Sequence, residues 1–201
     1  MGEIKNIIFD IGNVVIRWEP YAALKKFYSD PEEMNMHLTE IGFFEWNIEQ
    51  DRGRSIADGL NQAKQNGHHA HIFEAYINGL HLSHRNQVPG TAHIIRNLAA
   101  NSVPFYGLSN ITEAAYAIVL ETAPELTLLR HTTVSARVGM VKPEPEIFEY
   151  CLEENNLMAD ETLFVDDAIT NCKTAEGLGL HTHHFKDAAT LNRHLASLGF
   201  L

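Results

Sequence analysis

The sequence predicts an α/β fold, a doubly wound parallel sheet carrying an inserted all-helical cap domain. Three observations carry that class. Short apolar runs at Ile7-Ile8-Phe9, Val103 to Leu108 and Thr162 to Val165 stop abruptly at polar residues, as strands buried on both faces do. From Thr91 onward helical patterns separate such runs, which makes the crossovers right-handed and the strands parallel. Between the first run and the second, residues 18–88 show helical spacing and no convincing strand. The expected division is therefore 1–17 and 89–201 for the core and 18–88 for the cap.

The first strand lies in NIIFDIGNVV, residues 6–15, and ends at Asp10. A carboxylate there lies where open α/β sheets place their ligands, outside the carboxyl ends of the strands. Gly12 lets the backbone come close to whatever Asp10 addresses. The same decapeptide also fits a strand end that Asp10 merely caps.

In the cap, Tyr21, Leu24, Phe27 and Tyr28 recur at helical spacing, as do Ile72, Tyr76 and Leu80. Asp30-Pro31-Glu32-Glu33 reads as an N-cap with proline at the first helical position. Residues 43–47 and 49–54 mix aromatics, charges and a glycine. They fit a loop that covers a polar ligand, with Trp46, Asp51 and Arg52 as its substrate contacts, and fit a helix–helix contact equally well.

Val88-Pro89-Gly90 marks the return to the core, and Ile94, Ile95 and Leu98 form the apolar face of the next helix. The strand ending at Leu108 runs into Ser109-Asn110, a hydroxyl and an amide in the position that Asp10 holds on the first strand. A helix over 112–121 and a short strand over 132–134 follow. Pro143 and Pro145 then bracket Glu144 and place Lys142 just before a helix N-terminus, a position suited to anions. The strand at 162–165 ends in Asp166-Asp167, adjacent carboxylates that need a cation or hydrogen-bond donors. Asn171 follows within reach of them. A last strand over 180–185 and a helix over 188–198 close the chain.

Composition limits the partners. The 201 residues are 45% hydrophobic and 20% charged, with a formal net charge of −11 and no basic run, which excludes nucleic acid and anionic membranes. With no apolar stretch of transmembrane length and no signal peptide, the expected compartment is the cytoplasm. Cys151 and Cys172 lack metal or redox spacing. The histidines at 68, 69 and 71 and at 181, 183 and 184 lack companion ligands and read as surface residues. Nothing in the sequence specifies an oligomeric state.

On a parallel sheet, Asp10, Ser109, Lys142, Asp166 and Asp167 can converge on one edge. They provide a carboxylate nucleophile, a hydroxyl donor, a fixed cation and an oxygen-ligand diacid suited to Mg²⁺, parts that fit phosphoryl transfer through an aspartyl-phosphate.

Four segments in order, IIFDIGNVV, FYGLSN, GMVKPEPEIF and LFVDDAITN, resemble the haloacid dehalogenase-like superfamily, phosphatase branch with a helical cap, along essentially the whole chain. The resemblance implies a cytoplasmic, Mg²⁺-dependent hydrolase of a small phosphorylated metabolite such as a sugar 1-phosphate. By it, Asp10 is nucleophile and metal ligand, and the Gly12 carbonyl is a second ligand. Ser109 and Asn110 bind the phosphoryl group, Lys142 neutralises it, Asp167 holds the metal directly, and Asp166 and Asn171 support it. Most phosphatases of this superfamily carry an acid–base aspartate two residues after the nucleophile, where this chain has Gly12. A site without that acid would favour anomeric and aryl leaving groups. The alternatives are a metal-free haloacid dehalogenase, which the Asp166-Asp167 pair argues against, and a binding protein that has lost turnover, which Gly12 alone favours.

Overall fold

A computed structural model describes residues 3–65, 67 and 69–201; His68 lies outside the described residues. Five parallel strands form the sheet: Asn6–Phe9 (β1), Phe105–Ser109 (β2), Thr132–Val134 (β3), Thr162–Asp166 (β4) and His181–His184 (β5). Their order is β3-β2-β1-β4-β5, with β1 central. The direction of winding reverses at β1, so its carboxyl end opens at the crevice where such sheets bind ligands. The side chains of β1 alternate across the sheet. Ile7 and Phe9 pack into one hydrophobic cluster, while Ile8 joins Tyr106, Phe148 and Phe164 on the other face. Both faces are covered, which is why the run is continuously apolar.

Strand β2 begins two residues later than the apolar pattern predicts. Val103 spends its N–H on the Leu98 carbonyl, and Pro104 has no N–H to give. Likewise Leu180 closes the preceding helix by donating to the Ala175 carbonyl, so β5 starts at His181. His183 is half-buried against His194, with their Nδ1 atoms 2.9 Å apart, and is not the surface residue expected.

Between β1 and β2 the chain forms α1 (Pro20–Leu24), α2 (Pro31–Glu40), α3 (Phe43–Asp51), α4 (Ile56–Gln65), α5 (Ala70–Asn78), α6 (Leu80–Ser83) and α7 (Thr91–Ala100). The Asp30 carboxylate accepts from the Glu32 and Glu33 amides, the cap that Asp30-Pro31 predicts. The two ends of the helical insertion meet: Arg17 N donates to the Asn86 carbonyl and Val88 N to that of Val15. The first hydrophobic cluster runs without a break from Phe9 into Leu24, Phe43 and Tyr76, so insertion and sheet share one apolar interior. The remaining helices are α8 (Glu113–Thr122), α9 (Ser135–Val138), α10 (Pro145–Glu154), α11 (Ile169–Gly177) and α12 (Ala188–Ser197). Among the described residues no helix is long and apolar enough to cross a membrane.

Candidate active site

Strand register assembles the site. Phe9 lies opposite Gly107 on one side and Val165 on the other, so Asp10, Ser109 and Asp166 leave the sheet at the same edge. Ser109 pairs with Val134, which brings Ser135 to that edge too. Above them lies a cavity of about 350 Å³. Asp10, Gly12, Ser109, Asn110, Lys142, Asp167 and Asn171 line its sheet side, and Trp18, Phe44, Asn47, Asp51, Tyr76 and His84 line the helical side.

Lys142 holds the centre. Its Nζ lies 2.9 Å from Asp10 Oδ1 and 2.7 Å from Asp166 Oδ2, and its side chain is 2% exposed. Burial alone would lower its pKa, but Asp10 and Asp166 raise it above the usual lysine value, so it stays an ammonium. Both polar atoms of the Asn110 amide hold its backbone: Nδ2 donates to the Lys142 carbonyl and Oδ1 accepts from its N–H, each at 2.8 Å. The Asn110 side chain therefore clamps the lysine, and the residue still lines the cavity.

The carboxylates differ in what surrounds them. Asp166 is fully buried and accepts from Lys142, from Asn171 Nδ2 at 3.0 Å to each oxygen, and from the Ala168 N–H at 2.8 Å. Its lone pairs are committed, so it positions Lys142 from beneath the cavity. Asp10 accepts from the Ile11 N–H at 2.6 Å, and this contact and that to Lys142 both fall on Oδ1. Burial pushes the Asp10 carboxyl up while Lys142 pulls it down. Asp167 is also raised, first by burial and then by the Asp166 charge, against a hydrogen bond from Asn13.

Each of Asp10, Asp166 and Asp167 places a carboxylate oxygen within 4.8 Å of the others'. Three carboxylates thus face one ammonium, an excess of negative charge built of oxygen donors that fits a hard divalent cation such as Mg²⁺. Asp10, Asp167 and the Gly12 carbonyl would hold it. Asp167→Asn is expected to raise the half-saturating Mg²⁺ concentration more than ~100-fold, beyond the ~10–100-fold typical of outer residues. Asp166→Asn should stay within that range and instead lower the thermal midpoint of the metal-free protein, because Lys142 loses a buried partner. Titrating activity with Mg²⁺ and melting both variants checks this; the reverse pattern would mean the two roles are exchanged.

The helical side corrects two expected contacts. Residues 43–51 are helix α3, not a loop, and at 100° per residue its two faces part. Phe44, Asn47, Ile48 and Asp51 share the face that lines the cavity, which the buried Gln50 also touches, whereas Phe43 and Trp46 are buried away from it. Trp46 is packed on Phe73, ring centroids 4.9 Å apart, and donates Nε1–H to the Gly59 carbonyl at 2.8 Å. Arg52 follows the helix and also lies off the cavity. Its guanidinium forms a bidentate pair with Glu144 at 2.8 and 2.6 Å, joining the helical insertion to the segment that carries Lys142. Of the three residues, Asp51 alone reaches the site.

Several residues at or beside the cavity escape the sequence reading. Asn13, at φ +53°, accepts from Trp18 N at 3.0 Å, and its side chain favours the Asp167 carboxylate. Ser135 Oγ accepts from Ile111 N at 2.9 Å and donates to the Asp51 carbonyl at 2.6 Å. Its place after the strand at 132–134 is the same signal that marks Asp10 and Ser109. Tyr76 and His84 carry no comparable signal.

A family model described as haloacid dehalogenase-like hydrolase matches residues 4–179. Among curated proteins, the drimenol cyclase drtB of Aspergillus calidoustus is 26% identical over 97% of this chain, which spans only 36% of that protein. The D-ribitol-5-phosphate phosphatase of Bacteroides thetaiotaomicron is 25% identical over 96% of this chain and 97% of its own length. A HAD family enzyme from the same bacterium, solved as a magnesium complex, superimposes with a TM-score of 0.72 at 24% identity, covering 96% of this chain and 100% of that one. With the strand-edge carboxylates, the buried lysine and a family match over most of its length, the chain belongs to the haloacid dehalogenase-like hydrolases.

Proposed function

We propose that this protein is a Mg²⁺-dependent phosphomonoester hydrolase that works through an aspartyl-phosphate on Asp10 and acts on a small phosphorylated metabolite. The observation that carries the reading is Lys142, buried and paired with Asp10 and Asp166 on the floor of a cavity that Ser109 and Asp167 also line. A carboxylate, a fixed cation, a hydroxyl donor and a place for a divalent ion are the parts that phosphoryl transfer uses. Asp10 Oδ2, which carries neither of the two Oδ1 contacts, attacks phosphorus as the bond to the leaving oxygen breaks. Lys142 and Ser109 face the charge on the transferring group. A bound Mg²⁺ would supply further neutralisation of that charge. The phosphatase of Bacteroides thetaiotaomicron, alike over nearly the full length of both chains, supports the same reaction class.

The finer proposal is a small sugar phosphate. Within that class Gly12 by itself points to a sugar 1-phosphate, because with no acid two residues after the nucleophile an anomeric oxygen leaves with less help. We also propose residues 18–88 as the cap and 1–17 with 89–201 as the core, supported by the meeting of the insertion's ends at Arg17–Asn86 and Val15–Val88. The test is release of inorganic phosphate from a panel of sugar 1-, 5- and 6-phosphates, alditol phosphates and aryl phosphates, with and without Mg²⁺. Mg²⁺-dependent release from at least one class is expected. Release from none, or chloride release from a 2-chloroacid without metal, would overturn the reading.

A further inference from the structure

Gly12 leaves a specific gap. A Cβ built there meets nothing within 4 Å, so the space an acid–base aspartate would fill is open. Hydrolysis through an acyl phosphate still needs a proton for the leaving oxygen and a base for water. Among the described residues, three titratable side chains line the helical side of the cavity: Asp51, Tyr76 and His84. His84 commits Nδ1 to the Leu80 carbonyl at 2.9 Å, and burial lowers its pKa, which disfavours the imidazolium that a general acid needs. The Tyr76 hydroxyl accepts from Trp18 Nε1 at 2.9 Å, and burial raises its pKa above the usual phenol value. Asp51 is left.

The chain holds Asp51 in place and withholds a cation from it. Its carbonyl accepts from Ser135 Oγ, which also accepts from Ile111 N, two residues past Ser109. One hydroxyl therefore joins the end of α3 to the loop that follows β2. Gly53, at φ +101°, lies so close to the core that a Cβ would come within 2.7 Å of the Ala136 carbonyl oxygen. The neighbouring Arg52 is turned to Glu144 and Glu49, and the Asp51 carboxylate accepts from the neutral Asn47 amide at 3.1 Å. Burial pushes the Asp51 carboxyl up to about 7, where it can both give and take a proton.

Resting on the aspartyl-phosphate reading, we infer that Asp51, supplied by the helical insertion, is the catalytic acid and base whose usual place Gly12 leaves empty. In the first step Asp10 Oδ2 bonds to phosphorus, the ester P–O bond breaks, and the departing oxygen takes the Asp51 proton to leave as an alcohol. In the second step the Asp51 carboxylate takes a proton from water as its oxygen bonds to phosphorus. The acyl P–O bond breaks, releasing inorganic phosphate and restoring the Asp10 carboxylate and protonated Asp51. This replaces the strong leaving-group preference that Gly12 implies with a shallow one.

The experiment compares the parent and Asp51→Asn, each with Mg²⁺, on dinitrophenyl, phenyl and glycerol phosphates. In the parent, log kcat/KM should vary little with leaving-group pKa. In the variant, kcat/KM should fall ~10²–10⁴-fold on the phenyl and glycerol esters, the range that general acid catalysis supplies, and hold on the dinitrophenyl ester. A burst of one dinitrophenolate per protein should precede slow turnover, because the base is missing for the second step. A steep dependence in the parent overturns the proposal even if the variant fails to fold. Equal loss on all three esters with no burst, in a variant that melts like the parent, overturns it while leaving the phosphatase reading intact. A parent inactive on every ester removes both.

Discussion

Asp10→Asn is expected to reduce ester hydrolysis by roughly 10⁴–10⁶-fold, the scale on which removal of a catalytic nucleophile falls. The amide keeps the volume of the carboxylate and can still accept from the Ile11 N–H. Lys142 keeps Asp166 at 2.7 Å, so the buried ammonium is not left alone. The fold should survive and the chemistry should not. Phosphate release under saturating Mg²⁺ gives the loss. Acid-quenching with a labelled ester should trap phosphoryl label on the parent and none on the variant. Turnover close to the parent's would eliminate Asp10 as the attacking group.

Lys142→Met should remove both activity and stability, and it separates this lysine from one that only binds substrate. With its side chain 2% exposed between Asp10 and Asp166, the ammonium is the shared counter-charge of two buried carboxylates. Removing one partner of a buried ion cluster costs ~3–5 kcal/mol, because the charges left behind stay out of water. Denaturant unfolding of the metal-free protein should show that loss as a lower midpoint at unchanged slope. A midpoint equal to the parent's would mean the lysine is solvated and the ion cluster does not form in solution.

The residues at the sheet edge were legible because each strand end is a local event. An apolar run that stops at Asp10, Ser109 or Asp166 specifies a buried strand and its polar terminus within a few residues. Parallel register then brings those termini together with no further information. Lys142 was legible for a related reason, since Pro143 and Pro145 stiffen the segment that carries it. The helical insertion was readable as helices from apolar spacing, and Asp30-Pro31 even marked one start.

Which face of those helices meets the site was not readable. Periodicity says that Phe44, Asn47, Ile48 and Asp51 lie on one side of α3 and Phe43 and Trp46 on the other, but not which side turns to the sheet. That is decided by contacts distant in sequence: Trp46 with Phe73 and Gly59, Ser135 with the Asp51 carbonyl, Arg52 with Glu144. The same long-range packing ties the Asn110 side chain to the Lys142 backbone and buries Asp166 against the Lys142 ammonium. Sequence by itself determined the sheet, its polar edge and the family, because strand burial and turn chemistry act over a few residues. Tertiary structure alone decided that Asp51, and neither Trp46 nor Arg52, lines the cavity with Asp10, because a helix's rotation about its own axis is set by the partners that bury it.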